Sequence, residues 1–189
     1  MPVWGWILIA VLAVIAVAAT IVAARNTSSR KRTEGLKERF GPEYERVVGD
    51  TDDQRAAESE LVAREKNRQK LDIVPLPVEA ATRYADKWRD VQTAFIDSPA
   101  GAVIDADRLV NDVMRERGYP IDDFDQRAAD ISVDHPKIVE SYRAAHNIYL
   151  SQEHGDIGTE DQREAFVHYR ALFEKLLETE NDTPKEARA

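Results

Sequence analysis

The sequence VEAATRYADKWRDVQTAFIDSPAGAVIDADRLVNDVMRERG, residues 78–118, decides the fold of this chain. On both sides of Ser98-Pro99, apolar residues recur at spacings of three and four, which is typical of the buried face of a helix. Serine is a favoured N-cap and proline a favoured first helical residue, while Gly118 lies where a C-terminal cap belongs. Because almost nothing separates the two helices, they are predicted to form an antiparallel hairpin. The predicted apolar face comprises Ala81, Tyr84, Ala85, Trp88, Val91 and Phe95, then Val103, Ala106, Leu109, Val110, Val113 and Met114.

The residues that follow the hairpin predict further helices of the same kind. Asp122 or Asp123 can cap a short helix, and Asp134, just before a proline, can cap the next one. Thr159 and Gln162 have the spacing of a capping box at the start of a last helix. No alternating pattern of the kind that predicts a strand occurs along this part of the chain.

Upstream of the hairpin, charged residues outnumber apolar ones. Thr51 and Gln54 have the spacing of a capping box, and the helix predicted from Thr51 to Leu71 has only a thin apolar face. This helix is either a solvated arm or a helix that binds a partner or a second copy of itself. Prolines at positions 75 and 77 predict an extended connector after it.

Near its start, the chain carries an apolar run from Val3 to Ala24 without a charged residue. At about 1.5 Å per residue, this run is long enough to cross the roughly 30 Å hydrocarbon layer of a bilayer as one helix. It is therefore predicted to be a transmembrane anchor whose partner is membrane lipid. The alternative is a secretory signal peptide, since alanines near the end of the run suit a signal peptidase, and the remainder would then be secreted or face the envelope.

The flanks of this run predict its orientation. Cytoplasmic flanks carry the excess of lysine and arginine, and tryptophan favours the membrane interface. All the nearby positive residues follow the run, so the N-terminus is predicted outside and the domain in the cytoplasm. The predicted membrane-interface residues are Trp4, Trp6, Arg25, Arg30, Lys31 and Arg32.

These patterns together predict an all-α fold, in which an N-terminal transmembrane helix precedes a small bundle of four to five helices. The predicted segments are a transmembrane anchor at 1–24, a basic linker at 25–34, a charged helical arm with its connector at 35–77, the bundle at 78–179 and a disordered tail at 180–189.

The charge of the chain excludes some partners. Its formal net charge is −9, and the four positive charges of residues 1–32 leave −13 on residues 33–189. An acidic body of this kind is repelled by nucleic acid, so no nucleic-acid partner is predicted. The chain has no cysteine, which fits a reducing compartment without requiring one.

Residues that could carry familiar catalytic chemistry are few. The chain lacks a cysteine nucleophile, a G-x-S-x-G elbow and a glycine-rich phosphate loop. We therefore predict no catalytic residue, no cofactor and no metal. The alternative is a metal-dependent enzyme with a site between the last two helices, formed by Glu140, His146, Glu164 and His168. If no metal site forms, His146 and His168 are expected to border the core, each with a hydrogen bond to a carbonyl or a tyrosine.

Several stretches resemble a family of bacterial, chiefly actinobacterial, membrane-anchored or "secreted" proteins of unknown function. They are RGYP at 117–120, DFDQRAAD at 123–130, SVDHP at 132–136 and YRAAH at 142–146, together with residues 36–48. The resemblance covers residues 36–178. It implies a single-pass membrane protein and brings no activity and no catalytic residue.

The function predicted from these features is a membrane-tethered helical interaction module, an adaptor or scaffold with an unidentified protein partner. Its predicted binding surface is the helix from Thr51 to Leu71 together with the loop from Gly118 to Asp125. A cell-envelope or stress regulator is a further alternative to this role.

Overall fold

The computed structural model describes residues 30–155 and 157–179, together with the isolated positions 4 and 20. No β-strand occurs in these residues, and one isolated bridge joins Leu76 to Thr179. The predicted all-α class and helical bundle are thereby confirmed. The helices in the described residues are α1 (described from residue 30 to residue 40), α2 (Pro42–Thr51), α3 (Gln54–Arg68), α4 (Val78–Asp97), α5 (Pro99–Glu116), α6 (Phe124–Asp134), α7 (Val139–His154) and α8 (Thr159–Leu176).

The main core lies between α4, α5, α7 and α8, with α6 packed against α7. Trp88 of α4 stacks on two rings of α8, with centroid distances of 5.0 Å to Phe166 and 4.6 Å to Phe173. Tyr169, which is fully buried, donates its hydroxyl hydrogen to Asp107 of α5 over 2.9 Å. Burying apolar rings while pairing the phenol oxygen is what allows tyrosine to lie in a core.

The predicted hairpin of α4 and α5 is confirmed, with Ser98 as the single residue between the helices. The helix begins at Pro99 as predicted, although the Ser98 side chain makes no capping hydrogen bond. Gly118 ends α5 with φ +95°, and the amide of Tyr119 donates to the carbonyl of Met114 over 2.9 Å. This is the pattern of a Schellman cap. A Cβ at position 118 would lie 2.4 Å from the Asp72 carbonyl oxygen, so glycine also lets the connector after α3 approach closely.

Helices α1, α2 and α3 form an N-terminal unit, residues 30–68, around a core of their own. The buried Glu58 carboxylate joins them, because it accepts hydrogen bonds from Thr33 (2.7 Å), Tyr44 (3.0 Å) and Gln54 (2.9 Å). Val133 of α6 completes this second core, so the unit is attached to the bundle. The second core comprises Leu36, Phe40, Tyr44, Val47, Ala57, Leu61 and Val133.

Helix α3 is therefore not a solvated arm. Ala57 and Leu61 are completely buried, and α3 packs on both α2 and α6. Its thin apolar face suffices because only one stripe of the helix meets other helices. The predicted capping box is wrong: Thr51 ends α2, and the Asp53 side chain caps α3 by accepting from the Arg55 amide over 2.9 Å.

Two other predicted caps differ from the structure. Asp134 is the last residue of α6, and α7 begins only at Val139, so Asp134 does not cap α7. Thr159 is the first residue of α8, and Gly158 is the N-cap. The cap predicted at Asp123 is confirmed, since its carboxylate accepts from the Gln126 amide over 2.7 Å.

The predicted anchor at 1–24 lies outside the described residues except for Trp4 and Thr20, and the predicted tail at 180–189 lies outside them entirely. Residues 30–34 of the predicted linker at 25–34 are helical and belong to α1. Among the helices that the structure describes, none combines the length and the apolar character needed to cross a membrane.

Candidate functional site

Glu43 fixes α3 in place from the first turn of α2. Its side chain is 1% exposed and pairs with three arginines from three helices. The closest approaches are 2.8 Å from Arg46 of α2, 2.7 Å from Arg64 of α3 and 2.7 Å from Arg143 of α7. Burial alone would raise the pKa of Glu43, but hydrogen bonds from Arg46 and Arg143 outweigh it and lower the pKa to about 2. The carboxylate is therefore charged at neutral pH and ties α2 and α3 to the bundle.

A second ion pair holds the C-terminal end of α3 against α6. The Arg68 Nε donates to the Asp134 Oδ2 over 2.5 Å, and the Tyr119 hydroxyl donates to the same oxygen over 2.6 Å. Burial and the neighbouring Asp134 carboxylate raise the pKa of Tyr119, so its hydroxyl keeps the proton that it donates. Asp134, predicted to cap a helix, instead joins the end of α5 to α3.

With α3 held in this way, a groove runs between α3 and α6, which we call the α3–α6 groove. It consists of two adjoining recesses of about 350 and 300 Å³ that share Asn67 and Gln126. The first recess is lined by Glu60, Ala63, Arg64, Asn67, Asp123, Asp125, Gln126 and Ala129, and the second by Asn67, Lys70, Leu71, Pro120, Gln126 and Asp130. The structure thus brings together the two parts of the predicted binding surface, the helix from Thr51 to Leu71 and the loop from Gly118 to Asp125.

Carboxylates dominate the groove. Asp123 and Asp125 are exposed on one side, and Glu60 faces them from α3, where it pairs with Arg64. Ala63 and Ala129 lie between the two rows and are too small to fill the space. The groove is therefore open, mostly acidic on its sides and apolar between them.

Asp130 lies in the second recess and is only 1% exposed. Its Oδ1 accepts from the Gln126 amide over 3.0 Å, but its buried Oδ2 has no hydrogen-bond partner among the described residues. Burial raises the pKa of Asp130 above its usual value. A buried carboxylate with an unsatisfied oxygen is unfavourable, so this oxygen is a place where an added donor would stabilise the charged form.

The four candidate metal ligands do not form one site. His168 lies 3.6 Å from Glu164 on α8, His146 stacks on the Phe124 ring at 3.6 Å, and Glu140 is exposed beside α2. Among the residues whose side chains the structure describes, no group of three or more histidines or carboxylates is placed to hold a metal ion. The packing of His146 agrees with the interpretation of a histidine that borders the core.

Of the predicted membrane-interface residues, Arg30, Lys31 and Arg32 are exposed on α1, and Trp4 is exposed as well. Trp6 and Arg25 lie outside the described residues.

Sequence reasoning missed the role of Glu43. A glutamate in the first turn of a helix is explained by the helix dipole, so nothing local distinguishes it. Its partner Arg143 lies 100 positions along the chain, which no spacing pattern reaches. Asp130 and Asp134 stand out in the sequence as an acidic pair, but their different surroundings depend on α3.

Comparison with known proteins identifies no relative. No family model, no curated protein and no solved structure matches this chain.

Proposed function

We propose that this chain is a membrane-tethered helical interaction module that binds a protein partner in the α3–α6 groove. The anchor at 1–24 holds the module at the cytoplasmic face of the membrane, with the N-terminus outside. The observation that carries the proposal is that two segments far apart in the sequence, residues 51–71 and 118–125, which the sequence indicates as a binding surface, line one open groove. A groove of this kind between helices is a common place for a partner segment to bind.

The arrangement around the groove supports a docking role. The pair of Arg68 with Asp134 fixes α3 to α6, and the Glu43 cluster fixes α3 to α2 and α7; of these residues only Arg64 lines the groove. A surface held by ion pairs that are buried or partly buried is already formed before a partner arrives, which lowers the entropy lost on binding. The exposed carboxylates of the groove remain available for contacts at its edge.

The test is site-specific photocrosslinking in cells that express the full chain. A photoreactive p-benzoylphenylalanine replaces Ala63 or Asn67, which are exposed side chains of the groove. The matched control places it at Asp90, an exposed position on α4, which does not line the groove. The proposal expects a discrete protein adduct from both groove positions and none from Asp90. Adducts of the same size and yield at all three positions, or none in the groove, would contradict it.

A further inference from the structure

The charged side chains that line the α3–α6 groove differ in whether they already form an ion pair within the protein. Arg64 is the one arginine among the lining residues, and it is committed to Glu43 and Glu60. The Lys70 ammonium donates to the Asn67 amide oxygen over 3.1 Å at the far end of the groove and forms no ion pair among the described residues. The exposed Asp125 forms no ion pair within the part of the chain that the structure describes. The unpaired charge of the groove is therefore mainly negative.

Asp130 adds an independent indication of what the groove accepts. Its Oδ2 is buried without a donor, whereas the nearby carboxylates Asp134 and Glu43 each accept hydrogen bonds from arginine. Charge-assisted hydrogen bonds from lysine or arginine are the strong way to satisfy a carboxylate. We therefore expect a lysine or arginine to be the donor that Asp130 Oδ2 lacks, as arginine is the donor to Asp134 and Glu43.

We propose that the α3–α6 groove binds a basic peptide segment, one of whose lysine or arginine side chains enters the second recess and donates to Asp130. This inference rests on the proposed function and names the chemistry of the partner. Leu71 and Pro120 line the same recess and give the methylene stem of that side chain an apolar surface to pack against. The donor reaches Asp130 Oδ2, while Gln126, which lines both recesses, keeps its hydrogen bond to Oδ1.

Lys70 also lines the second recess, but the groove as a whole favours a cationic side chain over other ligands. It has four carboxylates, Glu60, Asp123, Asp125 and Asp130, against Lys70 and the already paired Arg64. An anionic segment would meet Asp125, Asp123 and Glu60 at the edge and be repelled. A metal ion would need several ligands, and no such group is found in the described residues. A lysine or arginine needs one strong acceptor and an apolar surface beside it, which the recess has.

The test measures the binding of a fluorescein-labelled peptide, Ala-Arg-Ala-Ala-Arg-Ala with blocked ends, to the full chain in uncharged detergent micelles. Fluorescence anisotropy gives the affinity at low and at physiological salt. The same peptide with citrulline in place of arginine has nearly the same shape without the charge. The proposal expects the citrulline peptide to bind at least about tenfold more weakly.

Three variants with the same change in net charge locate the binding. Asp130→Asn is expected to weaken binding about tenfold, and Asp125→Asn, at the exposed edge, about threefold. Asp90→Asn, on the exposed surface of α4, is expected to leave the affinity within about twofold of the original chain. Equal affinities for all three variants would show attraction to the overall negative charge only, and would overturn the proposal.

Asp125→Asn keeps the test decisive if Asp130→Asn alters folding, because Asp125 is exposed and its side chain has no hydrogen bond or ion pair among the described residues. The inference and the proposed function can also fail separately. If groove positions crosslink to a partner whose attached segment has no lysine or arginine, the inference is overturned and the proposed function stands. If the groove positions form no adduct, the proposed function fails and this inference fails with it.

Discussion

Glu43 is the residue on which the attachment of the N-terminal unit most depends. Replacing it by glutamine keeps its size but leaves Arg46, Arg64 and Arg143 without their common carboxylate. We expect Glu43→Gln to lower the free energy of unfolding by about 3–5 kcal/mol, as when one partner of a buried ion pair is removed. Urea unfolding of the full chain in detergent, followed by circular dichroism, measures this change.

The matched control is Glu45→Gln, two positions away. The Glu45 side chain is 68% exposed and, among the described residues, pairs only with Lys37, so its loss is expected to change the free energy of unfolding by about 0–1 kcal/mol. If both variants unfold at the urea concentration of the original chain, the Glu43 cluster does not stabilise the fold.

The same residue predicts how stability depends on pH. The folded-state pKa of Glu43, about 2, lies below its ordinary value of 4.5. Its contribution is therefore present above pH 4.5 and is lost as the pH falls through the folded pKa, about 3 kcal/mol in all. The difference in the free energy of unfolding between the original chain and Glu43→Gln should shrink between pH 5 and pH 2. A difference that stays constant over this range would contradict the assignment.

Gly118 supplies a second prediction, because it has both a positive φ and a close neighbour. Gly118→Ala would place a Cβ 2.4 Å from the Asp72 carbonyl oxygen at φ +95°, and is expected to destabilise the fold by about 1–3 kcal/mol. Gly49→Ala is the control: Gly49 lies within α2 with nothing within 4 Å of the added atom, so this change should stabilise by about 0.5–1 kcal/mol. Thermal unfolding of the two variants should therefore shift in opposite directions, and a shift in the same direction would contradict this account of Gly118.

For individual helices, the sequence was sufficient to predict the helix and its ends where a wide apolar stripe was bounded by residues that favour helix caps. Helices α4 and α5 have both, and their ends at Ser98-Pro99 and Gly118 could be predicted. Helix α3 has a stripe of only two buried apolar residues, so its packing also depends on the ion pairs of Arg64 with Glu43 of α2 and of Arg68 with Asp134 of α6. Local patterns carry no information about such pairs, which is why the solvated arm could not be ruled out from the sequence.

The second core predicts that the N-terminal unit can open without the bundle. Leu61→Ala leaves a cavity in that core, where Leu61 is completely buried. Amide hydrogen exchange in α1, α2 and α3 should then be at least about tenfold faster, with little change in α4 and α5. The control is Leu172→Ala in the main core, which should speed amide exchange in the bundle helices α5, α7 and α8. If Leu61→Ala speeds exchange equally in every helix, the unit does not open separately.

The same packing determines how α3 can be tested. Deleting residues 51–71 would remove Ala57 and Leu61 from the second core and expose Val133 of α6. Loss of binding in such a deletion would not distinguish a lost surface from a lost core. Substitutions at exposed positions of the groove, such as Asp125, separate the two.

For the whole molecule, the distribution of charge links the groove to the membrane. The positive residues before position 33 favour an anionic membrane surface, while residues 33–189, with a charge of −13, are repelled from it. Under the proposed function, a tether with this charge arrangement would keep the acidic groove near the membrane without pressing it against lipid, where it would face partners on the cytoplasmic side.

The claim that an interaction module is tethered at the cytoplasmic face is tested most directly by protease accessibility of a tag at the C-terminus in intact cells. If the domain is cytoplasmic, the tag should stay protected until the cells are lysed. This result is expected because arginine and lysine follow the predicted anchor. A tag digested from outside the cells, or found in the medium, would show that the orientation is reversed or the anchor is cleaved, and would contradict a cytoplasmic module.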